Sequence, residues 1–164
     1  MEIGNAGLVI VWPFLATYFE RLGMMEKGAF ISDDSAARAV LLLQYIATGI
    51  PSAPEHYLIL NKVLCGVPLH TPVPSAIELT TYEEEITLQM LNGVLQNWEK
   101  LKHSSIDALR EGFLIRDGYL RETEQTWELR VEKKTLDILM DSMPWSFGTI
   151  KMSWIKKRII VKWR

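Results

Sequence analysis

Apolar residues recur every three to four positions between Ile86 and Leu101, which is the spacing of an amphipathic helix. Thr80 and Glu83 stand three residues apart just before this stretch and match a capping box, an arrangement that satisfies the free amide groups of a first helical turn. A long, well-capped helix is therefore predicted here.

Two shorter predicted helices in the first half of the chain end with the same sequence pattern. Glycine, an aliphatic residue and proline follow one another in Thr48–Pro51 and again in Cys65–Pro68. Glycine can take the left-handed conformation that closes a helix, and proline prevents its continuation. We predict helices near residues 34–48 and 54–65, and an extended connector over residues 67–76.

The spacing of apolar residues changes at Gly118, from every third or fourth position, as in a helix, to every second position, as in a strand. Before this residue, a helix with Ser104 or Ser105 at its start is predicted. After it, apolar and charged residues alternate over 127–132, which is typical of a half-buried strand. Residues 119–122 can pair with this strand in a hairpin.

The remaining elements complete an α+β arrangement. A short helix is predicted over Thr135–Ser142, and the alternation over 158–163 predicts a last strand. The predicted fold is an N-terminal bundle of about five helices, over residues of about 5–117, followed by a small antiparallel sheet over about 118–164. Both parts are expected to belong to a single domain, residues 1–164.

Composition fits a globular chain with its own core. Hydrophobic residues make up 48% of the sequence and charged residues 23%, which argues against disorder. The uncharged stretch Ala6–Phe19 is shorter than the roughly 20 residues needed to span a bilayer. Glu2 stands where a secretory signal carries basic residues, so a buried core helix is the preferred interpretation. The single cysteine, Cys65, excludes an internal disulfide and fits a reducing compartment.

Candidate catalytic and metal-binding residues are scarce. His56, His70 and His103 each lack a second His or Cys at helical spacing, so no zinc site is predicted. Cys65 lies at an apolar helix end beside Gly66, where a buried, inert thiol is expected. No phosphate-binding loop, nucleophile elbow or dinucleotide fingerprint occurs. We therefore expect no enzyme activity, no cofactor, no metal and no small-molecule substrate.

The basic, aromatic tail is the stretch that suggests binding. Residues 150–164 contain six basic residues and no acid. Tryptophan and arginine are enriched in protein interfaces, and the candidate protein interface consists of Trp145, Trp154, Lys156, Lys157 and Arg158. Two alternatives remain open: the tryptophans cover the sheet core beside a solvated basic face, or the tail stacks on nucleic-acid bases. The net charge of −2 and the absence of a nucleic-acid-binding motif disfavour nucleic acid.

Several sequence cassettes, in a fixed order along the chain, carry a family resemblance. They are Asn5–Leu8, Pro13–Leu15, Ala37–Tyr45, Leu60–Gly66, Leu109–Leu114, Asp117–Gly118, Met143–Trp145, Ile150–Trp154 and Val161–Trp163, together with Glu55, Trp98, Trp127 and Val131–Glu132. In this order and with these gaps they resemble the C-terminal domain of contractile injection system tape measure proteins, a phage-tail-like family.

The resemblance implies a non-enzymatic assembly role. A tape measure fixes the length of the inner tube during polymerisation, and its ruler should be a long extended or helical segment. The many helix breakers of this chain exclude such a segment here. The resemblance therefore implies a globular terminal domain, either a fragment beginning at an added Met1 or an unusually short relative. Its expected partners are baseplate hub or tube proteins, and its expected place is the cytoplasm and the assembled particle. An adaptor or chaperone that holds a partner or effector before loading is the alternative.

Overall fold

The helices occupy most of the chain up to residue 114 in the computed structural model, which describes residues 1–163. The α-helices are α1 (Trp12–Arg21), α2 (Asp33–Thr48), α3 (Ile59–Cys65), α4 (Thr81–Gln96) and α5 (Ile106–Leu109). Short 3-10 helices cover Ala6–Val11, Glu55–Tyr57, Glu99–Leu101 and Thr135–Ser142, and a π-helical turn covers Arg110–Leu114.

The helix ends follow the local chemistry of the sequence. The Thr80 hydroxyl accepts from the Glu83 amide at 3.0 Å, and the Glu83 carboxylate accepts from the Thr80 amide at 2.9 Å, which confirms the capping box. Gly49 ends α2 with φ of 80° and Gly66 ends α3 with φ of 68°. These left-handed conformations confirm the two predicted helix ends.

The uncharged N-terminal stretch lies inside the protein. Every residue of the 3-10 helix Ala6–Val11 is buried, and this segment contacts α1, α2, the π-helical turn and strand residues 126–131. It does not form one α-helix with the residues that follow, because Pro13 occupies the first turn of a new helix that begins at Trp12. Among residues 1–163, no helix has the length and apolar character required to cross a membrane.

The strands form a five-stranded mixed sheet and a separate two-stranded ribbon. They are β1 (Glu2–Ile3), β2 (Met25–Glu26), β3 (Ala29–Phe30), β4 (Gly118–Glu122), β5 (Thr126–Val131), β6 (Thr149–Ile150) and β7 (Arg158–Trp163). The order in the sheet is β1-β4-β5-β7-β6, and β2 pairs with β3 in the ribbon. The predicted hairpin of residues 119–122 with the next strand is confirmed as β4–β5.

The prediction of a five-helix bundle followed by an antiparallel sheet is wrong. The α+β character remains, but β1 brings the start of the chain into the sheet, and the β2–β3 ribbon interrupts the helices. Strands β5 and β7 run parallel, with Leu129 opposite Val161. A parallel pair requires a crossover connection, which residues 132–157 provide. The helices pack on each other and on the buried 3-10 segment, which in turn contacts β5, and α1 and α2 also contact the ribbon, so a five-helix bundle set apart from the strands is not shown. The assignment of residues 1–164 to a single domain stays a prediction.

Candidate interface

The two tryptophans of the predicted interface are anchored in the fold. The Trp145 indole NH donates to the Ile10 carbonyl at 2.8 Å, and its ring meets Phe14 edge to face at 5.2 Å. The Trp154 indole NH donates to the Leu64 carbonyl at 2.8 Å. Both rings are half-buried against the core. Truncating either ring would remove packing and a hydrogen bond, so loss of binding by such variants would not by itself identify a contact.

The three cations of the predicted interface differ in their surroundings. The Lys157 ammonium donates to the Glu122 carboxylate at 2.9 Å and to the Thr123 carbonyl at 2.8 Å. Lys156 and Arg158 are exposed, and within residues 1–163 neither has a carboxylate within 4.0 Å. Lys156 and Arg158 are thus the two cations of the set that remain available to a partner.

The structure distributes the five candidate residues over separate places. Lys156 and Lys157 line a groove of about 360 Å³ against the connector that follows α3. Trp145 lines a larger cleft, of about 690 Å³, whose rim includes Ile138, a residue 72% exposed. Arg158 begins β7 and lies on the sheet face that points away from the core. Their joint use as one interface stays a prediction.

The outer sheet face carries further basic residues that the sequence analysis did not place in a site. Arg121 of β4, Arg130 of β5 and Lys162 of β7 are exposed beside Tyr119, around a shallow groove of about 310 Å³. The signal was present in the sequence. Alternate residues of a strand share a face, so the period-two pattern places residues 158, 160 and 162 together.

An ion pair between Arg116 and Asp137 lies beside the cleft of about 690 Å³ that Trp145 lines. The Arg116 guanidinium is fully buried and donates to Asp137 Oδ2 at 3.0 Å, to the Glu132 carbonyl at 2.9 Å and to the Gly112 carbonyl at 2.6 Å. The Trp163 indole NH also donates to Asp137 Oδ2, at 2.8 Å. Burial by itself would raise the pKa of Asp137, but hydrogen bonds from Arg116, a backbone amide and Trp163 outweigh it and hold the pKa below its ordinary value.

A buried amide cluster joins three of the cassettes that carry the family resemblance. Asn5 donates to Gln44 Oε1 at 3.1 Å and to Asn61 Oδ1 at 2.7 Å, and Asn61 donates to the Val40 carbonyl at 3.0 Å. The cluster links the N-terminal segment, α2 and α3 inside the core. Carboxamides do not titrate, and buried ones are stable only when hydrogen-bonded, so the cluster fixes the packing of these three elements.

Comparison with known protein families agrees with this arrangement of cassettes. The family model for the contractile injection system tape measure protein matches residues 1–163. The chain belongs to this family. No curated protein and no solved structure matches it. Membership gives this tape measure family member a structural role in a tail-like injection particle, where its partners are proteins.

A buried lysine holds the connector of this tape measure family member against α3. The Lys62 ammonium donates to Glu55 Oε1 at 2.9 Å, to the Leu69 carbonyl at 3.0 Å and to the Thr71 carbonyl at 2.8 Å. The hydrogen bond from Lys62, with another from a connector amide, lowers the pKa of Glu55. These contacts keep residues 67–76 in place although they form no helix or strand.

His56 and His70 line one shallow pocket of about 400 Å³, whereas Cys65 is buried in the core. His56 stacks beside Tyr57 with ring centroids 4.3 Å apart, and His70 lines the groove that contains Lys156. Burial raises the pKa of the Cys65 thiol well above its ordinary value, which keeps the thiol protonated. In the described part of the chain, no three His, Cys, Asp or Glu side chains are grouped so that they could hold a metal ion.

Proposed function

We propose that this domain docks a tape measure protein to the baseplate hub or to a tube component during assembly of the injection particle in the cytoplasm. Membership of the tape measure family supports the assembly role. The exposure of Lys156 and Arg158, with no carboxylate of residues 1–163 in range, supports docking through the basic C-terminal region.

Docking fits the shape of the described chain better than length measurement. The longest helices, α2 and α4, contain 16 residues each. At 1.5 Å per residue, such a helix extends only about 24 Å. The apolar residues of the helices and of the sheet pack into one cluster. A folded body of this kind can hold one end of a ruler against a partner, whereas a ruler acts through the extended length of its chain.

The proposed function is tested by deleting the segment from its parent gene and imaging particles by electron microscopy. Docking predicts that particles are lost or that tubes vary in length. Normal particles without cargo would favour the loading adaptor. Normal, loaded particles would contradict both functions.

A charge-reversal variant tests the docking surface without removing the domain. K156E/R158E changes two exposed side chains and should leave the melting temperature close to that of the wild type, because exposed substitutions usually cost less than about 0.5 kcal/mol. The matched control K100E/K102E makes the same charge change at exposed positions after α4. Loss of regular particles with K156E/R158E, but not with the control, is expected. Equal assembly by both variants would place docking outside the basic C-terminal region.

A further inference from the structure

The outer face of the sheet concentrates positive charge. Four cations, Arg121, Arg130, Arg158 and Lys162, lie on it together with two carboxylates, Glu128 of β5 and Glu2 of β1. The chain as a whole has a formal net charge of −2. The cations are therefore gathered on one surface of a slightly acidic protein.

Strand pairing places two of these cations side by side. Tyr119 of β4 lies opposite Arg130 of β5, and Arg130 lies opposite Lys162 of β7. Adjacent strands are only about 4.8 Å apart, and like charges that face each other across strands destabilise a sheet. Within residues 1–163, neither Arg130 nor Lys162 has a carboxylate within 4.0 Å.

The two acids on this face do not balance its four cations. Glu2 lies in the edge strand β1 opposite Tyr119, one strand further from Arg130. Glu128 is already bound to Arg121. The hydrogen bond from Arg121, and then the fields of Lys162 and Arg130, lower the pKa of Glu128, so this carboxylate is fully ionised at neutral pH. Glu128 therefore attracts Lys162 and Arg130 in return, but its close ion pair is with Arg121. A local arrangement that costs stability and is only partly compensated among residues 1–163 is expected at a functional surface.

We propose that this face, formed by β4, β5 and β7, docks an acidic protein surface. The proposal rests on the proposed function and names the partner chemistry for the surface that includes Arg158. A carboxylate-bearing partner would neutralise Arg130 and Lys162 together. Tyrosine and arginine are enriched in the centres of protein interfaces. Single-stranded nucleic acid instead requires a row of aromatic rings for successive bases, and Tyr119 is the aromatic side chain among the residues that line this groove.

The variant K162E separates an effect on docking from an effect on folding, because it should raise the stability of the free protein and lower the yield of particles. It places a carboxylate directly opposite Arg130 and converts a repulsive pair into an attractive one. This gain should exceed the loss of the attraction between Lys162 and Glu128, which lies diagonally across the strands. A favourable cross-strand charge pair should raise the melting temperature of the free protein by up to about 4 °C. The same change should repel an acidic partner, so we expect at least a tenfold loss of normal particles by electron microscopy. K162A should lie between K162E and the wild type, and K100E is the control for charge alone.

The possible results have distinct meanings. A more stable K162E protein that fails to assemble particles supports the proposal. Wild-type assembly by K162E and by R130E would overturn it. If deletion of the whole segment abolishes particles while K162E and R130E do not, docking occurs through another surface. If deletion itself has no effect, the proposed function fails first.

Other occupants are tested on the purified protein. Fluorescence anisotropy with single- and double-stranded DNA oligonucleotides at 150 mM salt measures nucleic-acid binding, and sedimentation velocity measures self-association. No binding and no self-association of the wild type are expected. Micromolar DNA affinity, or a dimer, that is lost in K162E would overturn the proposal by assigning this face to nucleic acid or to a second copy.

Discussion

Removal of the Asp137 carboxylate should destabilise the protein strongly. Its side chain is 15% exposed, and its partner Arg116 is fully buried. In D137A the guanidinium keeps only its bonds to the Gly112 and Glu132 carbonyls, and Trp163 loses its acceptor. Leaving one member of a buried ion pair without its partner costs about 3–5 kcal/mol.

For a chain of this size, each kcal/mol lowers the melting temperature by roughly 2–4 °C, so D137A should melt about 6–20 °C below the wild type. Urea denaturation followed by tryptophan fluorescence measures the free energy of unfolding directly. D137N keeps an oxygen acceptor without the charge, so its free energy of unfolding should lie between those of D137A and the wild type. The control D141A alters an exposed acid of the same 3-10 helix and should change stability by less than about 0.5 kcal/mol. A loss below about 1 kcal/mol for D137A would refute this reasoning about the ion pair.

Three further predictions follow from other contacts. G7A should cost about 3 kcal/mol or more by urea denaturation, because its Cβ would lie 1.7 Å from the Phe113 carbonyl oxygen, whereas G148A has nothing within 4 Å and should match the wild type; equal stability of the two variants would contradict the close approach. The Cys65 thiol is buried and protonated, so it should react with a disulfide reagent only when the protein unfolds, and rapid labelling of the native protein would contradict its burial. Folding lowers the pKa of Asp137, so its contribution to stability should be present above about pH 4 and be lost as the pH falls through the folded-state pKa; D137N should show a shallower acid-side slope, and an unchanged slope would count against the shift.

The features predicted correctly from sequence are those set by neighbours along the chain. The capping box of Thr80 and Glu83 depends on residues three apart, and Gly49 and Gly66 end helices through their own backbone conformation. The β4–β5 hairpin is also local, because its strands adjoin a short turn. Such signals lie within a few residues of the structure they determine.

The sheet could not be predicted in full, because its pairings are distant in sequence. Alternation identified β5 and β7 as strands, but it does not state which strands pair or in which direction. The prediction that all strands are antiparallel did not take into account the connection between β5 and β7. This connection, residues 132–157, is long enough for the crossover that a parallel pair requires. β1 contains only two residues and has no period to detect.

The candidate interface was predictable in its charge and not in its geometry. The sequence gives no sign that the indoles of Trp145 and Trp154 bond to the carbonyls of Ile10 and Leu64, which are far away along the chain. The alternation of residues along β7 did predict that Arg158 and Lys162 share one face of the strand. Arg130 joins this group only because β7 pairs with β5, which places Arg130 opposite Lys162.

Cryo-electron microscopy of the assembled particle tests the docking claim most directly. The account predicts density for this α+β domain at the junction of the baseplate hub and the inner tube, with the outer face of β4, β5 and β7 against an acidic surface of the neighbouring protein. Density at that junction with this face turned to solvent would contradict the proposed contact. Absence of the domain from particles at every stage of assembly would contradict docking itself.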